Sequence, residues 1–178
     1  LFLMLARCSS APKPLADFSS VQQSKTTTAS AYREGEFLFW AGRLNLKSDD
    51  LVALRNAWTE HGDAFPESND FVILERSVNQ VNTTNVLVAL FTSDYDKASL
   101  DNASLGWAVS PKPSSIRELS ETDQVLRVLL PLRNSWARYF LITYSGAAEK
   151  TSAGLNAYDA PMTVSNSQGR IILEPPAY

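Results

Sequence analysis

The sequence predicts one mainly β domain, a two-sheet antiparallel sandwich with a single early α-helix. Three observations support this fold class: short apolar runs that alternate with turn-forming segments, one helical pattern, and long polar connections. The 178 residues, of which 44% are hydrophobic, suffice for one core. We therefore predict a single β-sandwich domain over residues 36–178 and an extended N-terminal arm over residues 1–35.

The predicted arm differs in composition from the rest of the chain. It starts with an apolar run, residues 1–5, and continues into a stretch rich in Ser, Thr and Gln that also contains Pro12 and Pro14. Such a composition buries too little apolar surface to fold alone. An extended conformation is the expectation that follows.

The predicted helix covers residues 49–61. Ser48 is a suitable N-cap, and two aspartates follow in the first turn, where the helix dipole favours negative charge. Leu51, Leu54 and Trp58 fall on one face at helical spacing. This stretch is therefore expected to pack one apolar side against the sandwich.

The remaining apolar runs predict the strands. Residues 85–91 (NVLVALF) and 125–130 (VLRVLL) are apolar at nearly all positions, on both alternating faces, as in strands buried between two layers. Residues 162–164 and 171–173 flank a turn-like segment and predict a closing hairpin. Further strands are predicted at residues 37–40, 71–74 and 139–142, and residues 94–123 are expected to be mostly loop.

No pattern of residues points to catalysis. His61, the only histidine, is expected at a helix C-terminus, and the only cysteine, Cys8, lies in the predicted arm. One histidine and one cysteine do not make a zinc site, and no glycine-rich phosphate loop is present. The net charge of −3 argues against a nucleic-acid-binding surface on the domain. We expect assembly or binding rather than an enzyme, with no transmembrane segment and no cofactor other than a possible calcium ion.

An acidic loop follows residues 85–91. Asp94 and Asp96, spaced i, i+2 just after a strand, are able to converge on a hard cation such as calcium. The loop lacks the glycine of the calcium-loop consensus, so a solvated turn is the competing interpretation. A calcium site formed by Asp94 and Asp96 is therefore one expectation to compare with the structure.

Aromatic residues provide the candidate contact positions. Tyrosine and tryptophan concentrate in interface hot spots, although each is also common in protein cores. Trp136, Trp107 and Tyr95 are predicted as interface residues. Trp58, on the apolar face of the predicted helix, is expected to belong to the core.

The order of elements over residues 37–175 resembles the jelly-roll coat proteins of small icosahedral RNA viruses. The specific part is residues 81–96, where Thr83 and Thr84 lead into an apolar strand that ends in the Asp-Tyr-Asp loop at Tyr95. In that family a helix precedes a strand pair with a Thr-Thr-x-Gly-like turn, and the second strand ends in such a loop. Asn85 stands where the family often has glycine.

The resemblance implies a jelly-roll-like coat protein that assembles with copies of itself, or with related coat subunits, into the shell of a virion. Asp94 and Asp96 would match acidic positions that bind calcium between subunits in some relatives. The arm lacks the run of arginine and lysine with which many such proteins bind genomic RNA. RNA contact through the arm is therefore expected to be weak.

An alternative interpretation starts from Cys8. Residues 5–8, Leu-Ala-Arg-Cys, resemble the cleavage site of a bacterial lipoprotein, in which Cys8 would carry the lipid and the following segment would tether a β-sandwich binding domain to the outer membrane. Arg7 departs from that pattern, because a small residue is expected before the cysteine. A third interpretation, a secreted binding module, depends on the glycosylation motifs at Asn82 and Asn102.

Overall fold

A computed structural model describes residues 18–60, 64–120, 123–130, 136–146 and 156–176. The helices of this part of the chain are α1 (Phe18–Lys25), α2 (Ser48–Thr59), α3 (Asn69–Val78) and α4 (Gln124–Leu129). The strands are β1 (Thr26–Arg33), β2 (Glu36–Asn45), β3 (Thr83–Thr92), β4 (Ala108–Ser110), β5 (Ser115–Glu118), β6 (Arg138–Ser145), β7 (Met162–Ser165) and β8 (Arg170–Leu173). Two single 3-10 turns, Tyr95–Lys97 and Ala103–Leu105, lie between β3 and β4.

The strands form two antiparallel sheets. Five strands make the larger sheet in the order β1-β2-β3-β6-β5, and three make the smaller one in the order β4-β7-β8. All neighbouring strands in the two sheets pair antiparallel. The predicted mainly β, two-sheet sandwich is confirmed, and its first three strands form a meander.

The larger sheet is buried on both faces. One face packs against the helices through a cluster that includes Leu54, Leu87 and Leu126. The other face packs against the smaller sheet through a second cluster that includes Val88 and Met162. Strand β3 lies in the middle and is buried along most of its length, which confirms the prediction of a strand between two layers.

The predicted early helix is confirmed as α2, whereas a predicted strand at residues 71–74 is wrong. This segment belongs to α3, whose N-cap Ser68 accepts a hydrogen bond from the Phe71 backbone N–H at 3.0 Å. Phe71 and Leu74 are buried and Val72 is exposed, so the apolar run has helical rather than alternating burial. The Ser68 N-cap, together with the three-residue spacing of buried Phe71 and Leu74, favours a helix here.

The predicted strand at residues 125–130 is also wrong, because most of it forms α4. Asp123 caps this helix by accepting a hydrogen bond from the Val125 backbone N–H at 2.8 Å. Val125, Leu126 and Leu129 are all buried against the helical face of the larger sheet. Gln124 and Arg127 are exposed on the opposite side, but a helix of six residues is too short for this periodicity to separate it from a buried strand.

The other late strands occur where they were predicted. Residues 139–142 lie within β6, and β7 and β8 form the closing hairpin. The turn of that hairpin is held by the Asn166 side chain, whose Oδ1 accepts from the backbone N–H groups of Gln168 and Gly169. Short strands β4 and β5 lie within residues 94–123, which had been expected to be mostly loop.

The predicted arm, residues 1–35, falls partly outside the described residues, which begin at Phe18. From there the chain forms α1 and β1, and β1 pairs with β2 along its whole length. Phe18 packs edge-on against Trp58 of α2, with 5.2 Å between ring centroids. Apolar anchors and strand pairing thus attach residues 18–33 to the domain.

A tight contact at Gly42 of β2 provides a first test of this packing. A Cβ atom at Gly42 would lie 2.9 Å from the Trp40 indole and 3.3 Å from Leu130 Cδ1. Because Trp40 is buried and unable to move aside, Gly42→Ala is expected to lower the free energy of unfolding by about 2 kcal/mol. Urea denaturation measures this change, and Glu36→Ala at the exposed start of the same strand is the control. Equal stability of the two variants would contradict the packing described here.

Candidate functional site

One group of aromatic and charged side chains is assembled at one end of the larger sheet. The Tyr95 and Trp136 rings are 6.4 Å apart at an interplanar angle of 74°, and Arg138 Cζ lies 5.3 Å from the Tyr95 ring centroid. Arg138 also donates through Nε to Glu118 Oε1 at 2.6 Å, within a two-pronged ion pair. We call Tyr95, Glu118, Trp136 and Arg138 the aromatic cluster.

Strand pairing explains how these distant residues meet. In the register of β3 with β6, Leu90 lies opposite Arg138, so the turn after β3 is next to the start of β6. In the register of β5 with β6, Glu118 lies opposite Phe140, two residues beyond Arg138 on the same face. Three neighbouring strands of the larger sheet, β3, β6 and β5, therefore hold the aromatic cluster together.

The surface of the aromatic cluster combines an exposed aromatic ring with a partly buried ion pair. Trp136 is 64% exposed, whereas the Arg138 and Glu118 side chains are only 16% and 29% exposed. Trp, Tyr and Arg are the residue types enriched in interface hot spots, and a half-buried ion pair has already lost part of its hydration. This arrangement suits the burial of Trp136 against another protein surface.

Sequence reasoning identified only part of the aromatic cluster. Tyr95 and Trp136 were predicted as interface residues and lie together, but Glu118 and Arg138 were missed. The two residues of the missed pair are 20 positions apart, and nothing in their local pattern relates them. Only the pairing of β5 with β6 brings them together.

Trp107, the third predicted interface residue, lies elsewhere. Its ring packs edge-on against Phe39 with 5.0 Å between centroids, and its Nε1 donates to the Lys97 backbone carbonyl at 2.6 Å. Both contacts hold the indole in one orientation. Trp107 is half-buried and is separate from the aromatic cluster.

The predicted calcium ligands lie on the surface beside a lysine. The Asp94 carboxylate is 2.9 Å from Lys97 Nζ, and hydrogen bonding to Lys97 lowers the pKa of Asp94 below its usual value. Asp96 is exposed in the same turn. The described residues contain no group of three or more His, Cys, Asp or Glu able to hold a metal ion. A calcium ion would have to displace Lys97 and recruit further oxygen ligands, so this site stays a prediction.

Two other predicted positions, Cys8 and His61, lie outside the described residues. In the part of the chain that is described, no helix has the length and apolar character needed to cross a membrane. No protein-family model, curated protein or solved structure matches this chain. Its function is therefore argued from the geometry of its own side chains.

Proposed function

We propose that the protein is a structural subunit that assembles with copies of itself into a closed shell, as the coat protein of a virion does. The observation that carries this proposal is Trp136, a large aromatic side chain that is 64% exposed beside Tyr95 and the Arg138–Glu118 pair. In this proposal the aromatic cluster lies at the contact between copies.

The physical argument starts from the cost of leaving Trp136 in water. Burying an indole against a neighbouring copy removes apolar surface from solvent at about 25 cal/mol per Å². The rigid framework of three strands limits the entropy that the aromatic cluster loses on binding, which favours a specific contact. A stable contact buries about 1,600 Å² in total, so the aromatic cluster would be its centre and neighbouring loops its rim.

The sequence resemblance of residues 81–96 to jelly-roll coat proteins supports the same proposal, whereas the strand expected before this segment is helix α3. Tyr95 of the aromatic cluster lies between Asp94 and Asp96, so calcium bound to these two aspartates would lie near the contact between copies. In the proposed shell, the N-terminal arm would make only weak contact with genomic RNA. Treatment of the particles with a chelator tests the calcium site, and treatment with a nuclease tests the contact with RNA.

Electron microscopy combined with sizing chromatography tests the proposal directly. We expect closed particles of uniform size from the natural or expressed chain. A protein that stays monomeric at every concentration would overturn the proposal. A monomer whose Cys8 carries a lipid would support the bacterial lipoprotein instead.

Truncating Trp136 tests whether the aromatic cluster is the contact. Trp136→Ala is expected to weaken association by about 2 kcal/mol per contact, a shift of roughly thirtyfold in the concentration needed for assembly. Val81→Ala removes another exposed apolar side chain, in the turn before β3, and is expected to leave assembly unchanged. Light scattering against protein concentration measures both variants. An unchanged assembly threshold in Trp136→Ala would exclude the aromatic cluster as the contact.

A further inference from the structure

Two surface cavities share Trp107 as part of their walls. The first, of about 630 Å³, lies beside β4 and the connection to β5. The second, of about 340 Å³, lies between the turn that follows β3 and the turn of the β7–β8 hairpin. Both volumes fall within the range of about 300–1,000 Å³ that is usual for small-molecule sites.

Each cavity has a balanced charge. Among the residues that the structure describes, Asp101 and Lys112 are the charged ones that line the first cavity, and Asp94 and Lys97 are those that line the second. One carboxylate and one ammonium group in each cavity leave no net charge to attract a phosphate, a carboxylic acid or a polyamine. The charge balance therefore favours a neutral ligand.

The uncharged polar groups that line the cavities are of the kinds that bind hydroxyl groups. The first cavity is lined by Ser110, Ser114 and Ser115, and the second by Ser93, Ser104, Asn166, Ser167 and Gln168, among other residues. Hydroxyl and amide side chains both donate and accept hydrogen bonds, as a ligand rich in hydroxyl groups requires. Val109 and Ile116 add an apolar part to the wall of the first cavity.

Trp107 provides a fixed aromatic surface between these polar groups. Its hydrogen bond to the Lys97 carbonyl and its edge-on contact with Phe39 set the ring orientation before any ligand arrives. A pyranose ring has one face of C–H groups, which packs on an aromatic ring, and a rim of hydroxyl groups. That combination matches a preorganised indole with hydroxyl and amide side chains around it.

We propose that Trp107 and the two cavities bind a neutral oligosaccharide, with a sugar ring against the indole and hydroxyl groups bonded to the side chains of both cavities. An oligosaccharide, rather than a single sugar, is the kind of ligand that could contact both cavities at once. This site shares no residue with the aromatic cluster, although Asp94 and Lys97 of the second cavity lie in the same turn as Tyr95. Sugar binding and assembly are measured in separate experiments. The success or failure of the sugar site is therefore distinguishable from that of the proposed coat function.

The test uses the full chain and a panel of neutral sugars: cellotriose, maltotriose, chitotriose and lactose. Isothermal titration calorimetry at sugar concentrations up to about 10 mM detects even weak sites, since a dissociation constant of 1 mM corresponds to about −4 kcal/mol. We expect at least one of these sugars to bind with a measurable dissociation constant. No binding by any member of the panel would overturn the proposal.

Variants locate the site. Trp107→Ala is expected to weaken binding at least about tenfold, a loss of about 1.4 kcal/mol. Gln168 lies in an exposed turn, so Gln168→Ala removes its side chain without disturbing the core. This variant is expected to weaken binding several-fold. Tyr32→Ala is the control because it removes an exposed aromatic ring outside both cavities, and its binding should equal that of the wild type. Wild-type affinity in folded Trp107→Ala or in Gln168→Ala would contradict the proposed site.

Discussion

Replacing Arg43 with methionine is expected to lower the free energy of unfolding by about 4 kcal/mol. Arg43 lies in β2, is fully buried, and is the largest of the fully buried side chains in the described part of the chain. The terminal nitrogens of its guanidinium donate to backbone carbonyls that are more than 100 residues away in the sequence. Methionine fills a similar volume but supplies no donors, so those oxygens would stay buried without this partner.

The contacts of Arg43 explain the size of the effect. Nε donates to Asn45 Oδ1 at 2.8 Å, and the two terminal nitrogens donate to four backbone carbonyls at 2.7 to 3.2 Å. Those carbonyls belong to Ala157, Tyr158, Ala160 and Leu173. Arg43 therefore ties the larger sheet to β8 of the smaller sheet and to the segment before β7 at one point. Hydrogen bonds from a charged donor contribute about 1.5–3 kcal/mol each, and their loss is only partly offset by the favourable burial of methionine.

Urea denaturation followed by circular dichroism measures this prediction. Arg43→Lys keeps the charge but has three donors on one nitrogen instead of the planar fork, so it should lose nearly as much stability. Arg117→Met, at an exposed position of β5, is the control and should stay within about 0.5 kcal/mol of the wild type. A loss below about 1 kcal/mol in Arg43→Met would mean that the guanidinium does not hold the two sheets together.

The central strand was predictable from sequence, whereas the partners of its polar residues were not. Residues 86–91 are apolar at successive positions, and this pattern alone predicts burial on both faces of β3. Asn85 precedes that run with a buried amide, which donates to the Ser77 carbonyl at 2.9 Å and accepts from Thr143 Oγ1 at 2.8 Å. These bonds join α3 to β6 across 8 and 58 residues. Local periodicity contains no information about such partners.

Helices α3 and α4 show where apolar patterns mislead. Residues 71–74 and 125–130 are short apolar runs rich in β-branched residues, which favour strands. Ser68 and Asp123 stand before them as N-caps, a local signal that could have identified both helices. The aromatic cluster has no comparable signal, because its ion pair exists only through the register of β5 with β6. Caps are readable from sequence and strand register is not.

Above pH 10 the protein is expected to lose stability through two buried tyrosines. Tyr139 and Tyr144 are fully buried, and the loss of hydration on burial raises the pKa of each phenol well above its usual value of about 10. Below pH 10 both phenols are protonated in the folded and the unfolded chain, so their contribution to stability is complete. As the pH rises past 10, the unfolded chain releases these protons while the folded chain keeps them. Each tyrosine then removes about 1.4 kcal/mol of stability per pH unit, until the pH reaches its raised pKa in the folded protein.

Phenylalanine variants separate the two contributions. Tyr139 donates a hydrogen bond to the Leu130 carbonyl at 3.2 Å, so Tyr139→Phe should cost about 1 kcal/mol at pH 7. The Tyr144 hydroxyl has no hydrogen-bond partner among the described residues, so Tyr144→Phe should be neutral or stabilise the protein by up to about 1 kcal/mol at pH 7. Both variants should reduce the alkaline loss by about 1.4 kcal/mol per pH unit relative to the wild type, although their effects at pH 7 differ in sign. Urea unfolding between pH 7 and pH 11 measures the slopes. A Tyr144→Phe variant with the wild-type slope would show that this phenol ionises as easily in the folded protein as in the unfolded chain, which contradicts its burial.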